Sequence, residues 1–251
     1  MPSKNRNFIN NEIYHVTVRR QDGRLMFRDD DDYHRAVVSL TVFNDRQSVS
    51  IWNQRRRLVQ GQTLHKIPLV EILAFCLMPN HMHLLLRQIV DGGISKFMQK
   101  FGSGYSRHYC EKYPQKTRGH FFQDRFHSVH INNDDQLRTV FVYIHTNPIA
   151  VIMPNWKDQG VKNYRQALNF LSSQYRWSSY WDYLGRSNFS AVTNRDFLLA
   201  VMGGNVNCQQ AVNDWLNHKV DLVKFKILDL PIDYILDSCF VQGQTLLACK
   251  V

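Results

Sequence analysis

Several features that define membrane-bound and secreted proteins are absent from this sequence. None of its apolar stretches reaches the roughly 18 to 20 residues that a membrane-spanning helix needs. The first eight residues also lack the apolar core of a signal peptide. The expectation is therefore a cytoplasmic protein without a membrane partner.

Cysteine is scarce and scattered. The five cysteines stand at positions 76, 110, 208, 239 and 249, and none forms a Cys-x-x-Cys pair. This spacing argues against a disulfide framework and against a structural zinc site. Cys76 lies in an apolar strand pattern, which indicates a small core residue.

Charge is the strongest signal in the composition. Lys and Arg number 31 against 21 Asp and Glu, which gives a formal net charge of +10 over 251 residues. Because no membrane segment is present, this excess favours nucleic acid as the partner. A solvated basic surface without a specific partner is the alternative. The length suits one sizeable domain, or one domain plus an extension.

The most informative stretch contains two histidines separated by one residue, His81 and His83. Aliphatic segments lie on both sides of the turn signal Pro79-Asn80, which predicts a β-hairpin. Residues i and i+2 of a strand point to one face, so both imidazoles would project together. Such a pair can bind a divalent cation. Two ordinary strand histidines are the alternative interpretation.

Periodicity predicts the surrounding elements. Residues 11 to 20 alternate like a strand, and helices are predicted over about 31–47, 94–113 and 134–146. The glycines of Gly102-Ser103-Gly104 cost a helix roughly 1 kcal/mol each relative to alanine, which predicts a kink or a break. The aromatic block 175–183 is expected to cover the core or to contact a DNA hairpin.

The other histidines are weaker ligand candidates. His127 and His130 stand three residues apart in a predicted strand, which places them on opposite faces. His120 and His145 are expected to be surface or capping residues.

The third predicted helix carries a candidate nucleophile. Tyr143 and Asn147 stand four residues apart and so share one face of the helix. A tyrosine hydroxyl that reaches a metal-bound phosphate can attack it, provided that a cation or base lies nearby. The alternative is a tyrosine that packs at the helix edge, with Asn147 as a C-terminal cap.

The second predicted helix carries tyrosines and cations together. Tyr105, Tyr109 and Tyr113 recur every four residues among basic side chains, a pattern that suits single-stranded nucleic acid. A tyrosine-lined packing face is an equal alternative. The candidate DNA contacts are Arg19, Lys96, Tyr105, Arg107, Arg118 and Arg125.

Five motifs together resemble one family. His81-Met82-His83 matches the His-hydrophobic-His motif of the HUH single-strand nucleases, and the surrounding sequence resembles the REP-associated tyrosine transposases of the single-tyrosine HUH superfamily. The matching pieces occur in family order over about residues 11 to 185. They are Tyr14-His15-Val16-Thr17, Met78-Pro79-Asn80-His81-Met82-His83, Gly119-His120-Phe121-Phe122-Gln123-Asp124-Arg125-Phe126, Tyr143-Ile144-His145-Thr146-Asn147-Pro148 and Tyr175-Arg176-Trp177-Ser178-Ser179-Tyr180.

The resemblance implies a fold and an activity. The fold would be α+β, a ferredoxin-like antiparallel sheet with helices packed on it and the histidine pair on a central strand. A catalytic domain would span residues 1–150, and a mainly helical extension would span 151–251. Thr146 departs from the apolar residue that many members have, and Gly102-Ser103-Gly104 departs from a regular DNA-facing helix.

The resemblance also implies a mechanism. Tyr143 would be the nucleophile, and His81 and His83, with Asn147 as a possible third ligand, would hold Mg²⁺ or Mn²⁺. The substrate would be single-stranded or hairpin DNA, cleaved through a 5′-phosphotyrosine intermediate. A monomer is favoured over a dimer. The alternative function is a non-catalytic protein that binds repeat hairpins.

Overall fold

The computed structural model describes residues 7–48, 66–114 and 119–217. Four strands form its central sheet: β1 (Ile13–Arg19), β2 (Val70–Met78), β3 (His81–Gln88) and β4 (His127–Ile131). Their order is β2-β3-β1-β4, and all neighbours are antiparallel. The predicted hairpin is therefore confirmed, with β3 at a central position in the sheet.

Three long helices pack on this sheet: α1 (Asp30–Val42), α2 (Gly93–Lys112) and α3 (Asp134–Thr146). Helices α1 and α2 pack together on the face that contains the fully buried residues Val16 and Leu84. Helix α3 lies on the opposite face, to which the side chains of His15 and His83 point. The predicted α+β fold with a helix-covered antiparallel sheet is confirmed.

Helix α1 begins where its sequence predicts and ends earlier. The Asp29 side chain accepts a hydrogen bond from the Asp32 N–H at 3.0 Å and so caps the helix N-terminus. The helix ends at Val42 instead of continuing to about residue 47, so that part of the prediction is wrong. The reason is tertiary: Asn44 Oδ1 accepts from the backbone N–H groups of Leu69 and Val70 at 2.9 and 3.1 Å.

Helix α2 is continuous, so the predicted kink or break at Gly102-Ser103-Gly104 is wrong. Gly104 has a packing role instead. A Cβ atom at this position would overlap the ring of Phe43, which lies just beyond α1. The glycine therefore allows the two helices to approach each other, and the energy of that contact offsets the low helix propensity of glycine.

Substitution of Gly104 by alanine is expected to destabilise the protein by up to about 2 kcal/mol. Overpacking costs roughly 1–3 kcal/mol, while the gain in helix propensity is only about 1 kcal/mol. Gly102→Ala is the matched control, because its Cβ atom would make an ordinary contact of 3.4 Å with Phe122. Urea unfolding measures both free energies. Equal stability of the two variants would contradict the packing role of Gly104.

The tyrosines of α2 face the protein interior. Tyr105 and Tyr109 are buried, and their hydroxyls donate to the backbone oxygens of Met26 and Leu25 at 2.9 and 3.3 Å. Tyr113 is half-buried and donates to Asp29 at 2.9 Å. The packing-face alternative is thus correct. The structure does not support the predicted DNA contact of Tyr105, because its ring is fully buried against Phe27 and Phe121.

The rest of the described chain is mainly helical, as predicted for the extension. Its helices are α4 (Ile149–Ile152), α5 (Trp156–Gln159), α6 (Tyr164–Asn169), α7 (Tyr180–Tyr183), α8 (Asp196–Met202) and α9 (Asn205–Asn217). A π-helical turn, Phe170–Gln174, follows α6. Within the described ranges, no helix is both long and apolar enough to cross a bilayer.

Part of this region covers the outer edge of β2, which is one of the two end strands of the sheet. The Leu77 N–H donates to the Trp177 carbonyl at 2.9 Å, and the Ser179 N–H donates to the Phe75 carbonyl at 3.0 Å. An uncovered edge would expose unpaired backbone groups to other chains. The aromatic block 175–183 therefore covers the core, which is one of its two predicted roles.

Candidate metal and tyrosine site

Two histidines at the start of β3 form the centre of the candidate site. His81 and His83 alternate with apolar residues, so both point to the sheet face that α3 covers. In the register of β1, Arg19 lies opposite His81 and Thr17 lies opposite His83. Both imidazoles are almost fully buried.

Hydrogen bonds hold both rings through Nδ1. The Asn80 amide oxygen lies 2.6 Å from His81 Nδ1, and because an amide oxygen only accepts, that nitrogen carries the proton. His83 Nδ1 lies 3.0 Å from Nε2 of His15 on β1. We assign the proton of this bond to His83 Nδ1, with His15 as the acceptor. With this assignment, both histidines present an unprotonated Nε2.

These two Nε2 atoms fit a divalent cation. Both are buried, and neither has a hydrogen-bond partner among the described residues. An unsatisfied buried polar group costs about 1–3 kcal/mol, and a bound cation would satisfy both atoms. A histidine that binds metal usually donates its other ring N–H to a neighbour, as both rings do here. Within the described ranges, no third histidine, cysteine or carboxylate completes a ligand cluster.

Burial keeps the imidazoles of the site neutral. Burial, and then the charges of Arg19 and Lys157, lower the pKa of His81 to about 3. Burial, with His127 and Lys157, lowers the pKa of His15 to about 3. The pKa of His83 falls well below its ordinary value because of burial and the neighbouring His81 and His15. The lone pairs are thus available to a cation at neutral pH.

Acidification is expected to destabilise the metal-free protein as the pH falls from about 6.5 towards about 3. The unfolded histidines take up protons near pH 6.5, whereas His15 and His81 stay neutral in the folded protein until about pH 3. Each histidine therefore lowers the free energy of unfolding by about 2 kcal/mol at pH 5. Urea unfolding at pH 7.5 and pH 5 measures the loss.

His15→Gln is the matched variant for this measurement. Glutamine keeps an acceptor for His83 Nδ1 but does not titrate. The variant should therefore lose less stability between the two pH values than the wild type does. An identical loss in both proteins would show that His15 does not contribute to the pH dependence.

Helix α3 brings Tyr143 to the histidines. The centre of its ring lies 5.5 Å from that of His83 and 5.9 Å from that of His15, in edge-on contacts with both. The tyrosine is buried on the α3 face that packs against the sheet. Tyr143 thus lies beside the pair within one chain, as the predicted nucleophile must. Its catalytic role remains a prediction.

Asn147 follows the last turn of α3, where it caps the helix. Its Nδ2 donates to the Tyr143 carbonyl at 2.9 Å, which matches the capping alternative. Its Oδ1 accepts from Lys157 Nζ at 3.1 Å. A role for this oxygen as a metal ligand remains a prediction.

Lys157 is a site residue that the sequence did not reveal. It lies on α5, and its Nζ donates to the Tyr143 hydroxyl at 3.3 Å and to Asn147 at 3.1 Å. The same ammonium lies 4.7 Å from the centre of the Tyr143 ring. No periodic spacing links residue 157 to residue 143, because α4 and a turn separate α5 from α3. A lysine close after the tyrosine helix is the only signal that the sequence offers.

The predicted DNA contacts are dispersed in the structure. Arg19 lies beside the site, where its charge contributes to the lowered pKa of His81. Lys96 and Arg107 are exposed on α2; Lys96 donates to the Arg46 carbonyl at 3.2 Å, and Arg107 pairs with Glu111 at 2.9 Å. Arg125 is exposed before β4. A DNA-binding role for these four residues remains a prediction, and Arg118 lies outside the described residues.

Other histidines have distinct environments. His145 was expected at the surface or in a cap, but it is fully buried, with Nε2 2.8 Å from the Ser179 hydroxyl. That expectation is wrong because the extension covers this side of α3. His120 is exposed, as expected. His130 stacks on Tyr14 while His127 lies opposite Thr17, so the two do occupy opposite faces.

Comparison with known proteins gives one family match. Residues 41–147 match the model of the IS200-like transposases, a segment that contains His81, His83, Tyr143 and Asn147. A solved structure of a REP-associated tyrosine transposase bound to a REP hairpin is similar at 18% identity and a TM-score of 0.46, over 78% of this chain and 93% of that chain. Comparison with curated protein sequences gives no match.

Proposed function

We propose that the protein is a metal-dependent single-strand DNA endonuclease and strand transferase, since residues 41–147 match the model of the IS200-like transposases. The observation that carries this proposal is the contact of Tyr143 with His83, one histidine of the buried pair. The five motifs that resemble REP-associated tyrosine transposases supply the proposed substrate, a hairpin-forming DNA repeat.

The proposed function requires a divalent cation. Nε2 of His81 and Nε2 of His83, with Asn147 as a further candidate ligand, would hold Mg²⁺ or Mn²⁺, which would supply a positive charge at the scissile phosphate. The hydrogen bonds from Nδ1 to Asn80 and His15 orient the two rings for that task.

Tyr143 performs the covalent step. Its Oη forms a bond to phosphorus while the bond from phosphorus to the 3′-oxygen breaks. The phenolic proton is released to solvent, and the departing oxygen takes one up. The protein is then bonded to the 5′-phosphate of one DNA fragment, and the other fragment ends in a 3′-hydroxyl. Attack by a second 3′-hydroxyl reverses the step and joins the strands.

The proposed domain division follows the sequence. Residues 1–150 form the catalytic domain and residues 151–251 form the extension, which contributes Lys157 to the site. A monomer is the favoured state, because Tyr143 packs against the histidines of its own chain. The covered edge of β2 supports the same state.

A covalent-adduct assay tests the proposed function. The protein is mixed with Mn²⁺ or Mg²⁺ and with single-stranded repeat hairpins from the genome that encodes it. DNA labelled at its 3′ end should migrate with the protein on a denaturing gel, whereas DNA labelled at its 5′ end should give a shorter free strand. Chelation of the metal should prevent both products. Tight hairpin binding without an adduct under any metal would favour the non-catalytic alternative.

A further inference from the structure

Lys157 lies closer to the proposed nucleophilic oxygen than its position in the sequence suggests. Its Nζ is 3.3 Å from Tyr143 Oη and 3.1 Å from Asn147 Oδ1. Both of these partners are neutral, so neither cancels the charge of the ammonium. The side chain is half-buried, which weakens screening by solvent. Lys157 is thus a fixed positive charge at the oxygen that would react.

The contacts of Lys157 explain how this charge is held in place. Tyr143 and Asn147 stand one turn apart at the end of α3, and the lysine bridges them from α5. The Asn147 amide also donates to the Tyr143 carbonyl at 2.9 Å, which fixes the orientation of its oxygen. The ammonium therefore has one anchor in Asn147, and its second hydrogen bond points to the phenol.

We propose that Lys157 is a catalytic residue that stabilises negative charge on the Tyr143 oxygen during both DNA cleavage and strand joining. The proposal rests on the proposed function. In cleavage, the phenolic proton is lost to solvent before Oη bonds to phosphorus, and the ammonium stabilises the phenolate. In joining, the bond from phosphorus to Oη breaks, and Oη leaves with the electron pair beside the same ammonium. Lys157 keeps its proton throughout.

The test compares Lys157→Met with Lys157→Arg. Methionine retains much of the apolar stem but has no charge, and arginine retains a charge and hydrogen-bond donors. A single preorganised donor to a developing oxyanion is worth about 100-fold or more in rate. Single-turnover cleavage and joining should therefore both slow by about 100-fold in Lys157→Met and recover in large part in Lys157→Arg. Lys162→Met, an exposed lysine in the same region, is the matched control for net charge.

Rescue by the conservative variant separates a chemical role from a structural one. Lys157→Arg should recover most of both rates, because it restores a positive charge and hydrogen-bond donors beside Oη. Urea unfolding, hairpin affinity and Mn²⁺ affinity serve as checks that the variant is folded. Wild-type cleavage and joining rates in Lys157→Met would overturn the inference while the proposed function stands. An absent adduct in the wild type would overturn both.

Discussion

Replacement of Tyr143 by phenylalanine is expected to abolish the covalent adduct between protein and DNA. Phenylalanine keeps the ring that contacts His15 and His83 and removes only the hydroxyl. Loss of a nucleophile that no other group replaces costs at least about 1,000-fold in rate. Because the ring contacts persist, folding and hairpin binding should change little. The adduct assay and a native gel shift measure the two properties separately.

Two comparisons sharpen this prediction. Tyr164→Phe removes a hydroxyl from a half-buried tyrosine of α6 and should retain the full adduct. Addition of Mn²⁺ at high concentration should not rescue Tyr143→Phe, since the missing group is the nucleophile and not a ligand. If Tyr143→Phe still forms the adduct, another residue is the nucleophile. The assignment of Tyr143 would then be wrong, but the proposed enzymatic function would stand.

The parts of the site that the sequence predicts correctly are local. His81 and His83 follow a two-residue turn, and their two-residue period places them on one face without any knowledge of the rest of the chain. Tyr143 and Asn147 belong to one helix, which begins at Asp134 as predicted and is capped by the Asn133 side chain. The family resemblance then relates the two halves, which no local pattern can do.

The parts that the sequence does not predict depend on contacts between distant segments. His15 and His83 are 68 residues apart, and their hydrogen bond exists only because β1 pairs with β3 in one register. The bond from Lys157 to Tyr143 likewise depends on how α5 packs beside α3. An alternating pattern places His15 on a strand, but it does not identify the ring that this histidine orients.

Helix α2 shows how packing can reverse an interpretation of the sequence. The spacing of Tyr105, Tyr109 and Tyr113 defines a helix face, but it does not tell whether that face meets bases or the core. In the structure this face packs on the core, and the three hydroxyls donate to acceptors in residues 25–32. Gly104 is a similar case, in which a residue that weakens an isolated helix allows a close approach of Phe43.

Replacement of His83 by alanine is expected to weaken Mn²⁺ binding at least about 100-fold. Removal of a residue that only orients a ligand already costs 10- to 100-fold, and His83 is one of the two proposed histidine ligands. His83 Nε2 is buried without a hydrogen-bond partner among the described residues, so removal of the imidazole breaks no described hydrogen bond at that atom. Calorimetric titration with Mn²⁺ measures the affinity, and the adduct assay should show a parallel loss of cleavage.

The matched control for this change is His120→Ala, which removes an exposed imidazole and should leave Mn²⁺ affinity unchanged. His83→Ala also removes the partner of His15 and creates a cavity, so urea unfolding must accompany the titration. A folded His83→Ala protein that still binds Mn²⁺ as tightly as the wild type would contradict the histidine site. If instead binding and cleavage fall together while hairpin affinity persists, the cation acts in the chemical step and not in holding the DNA.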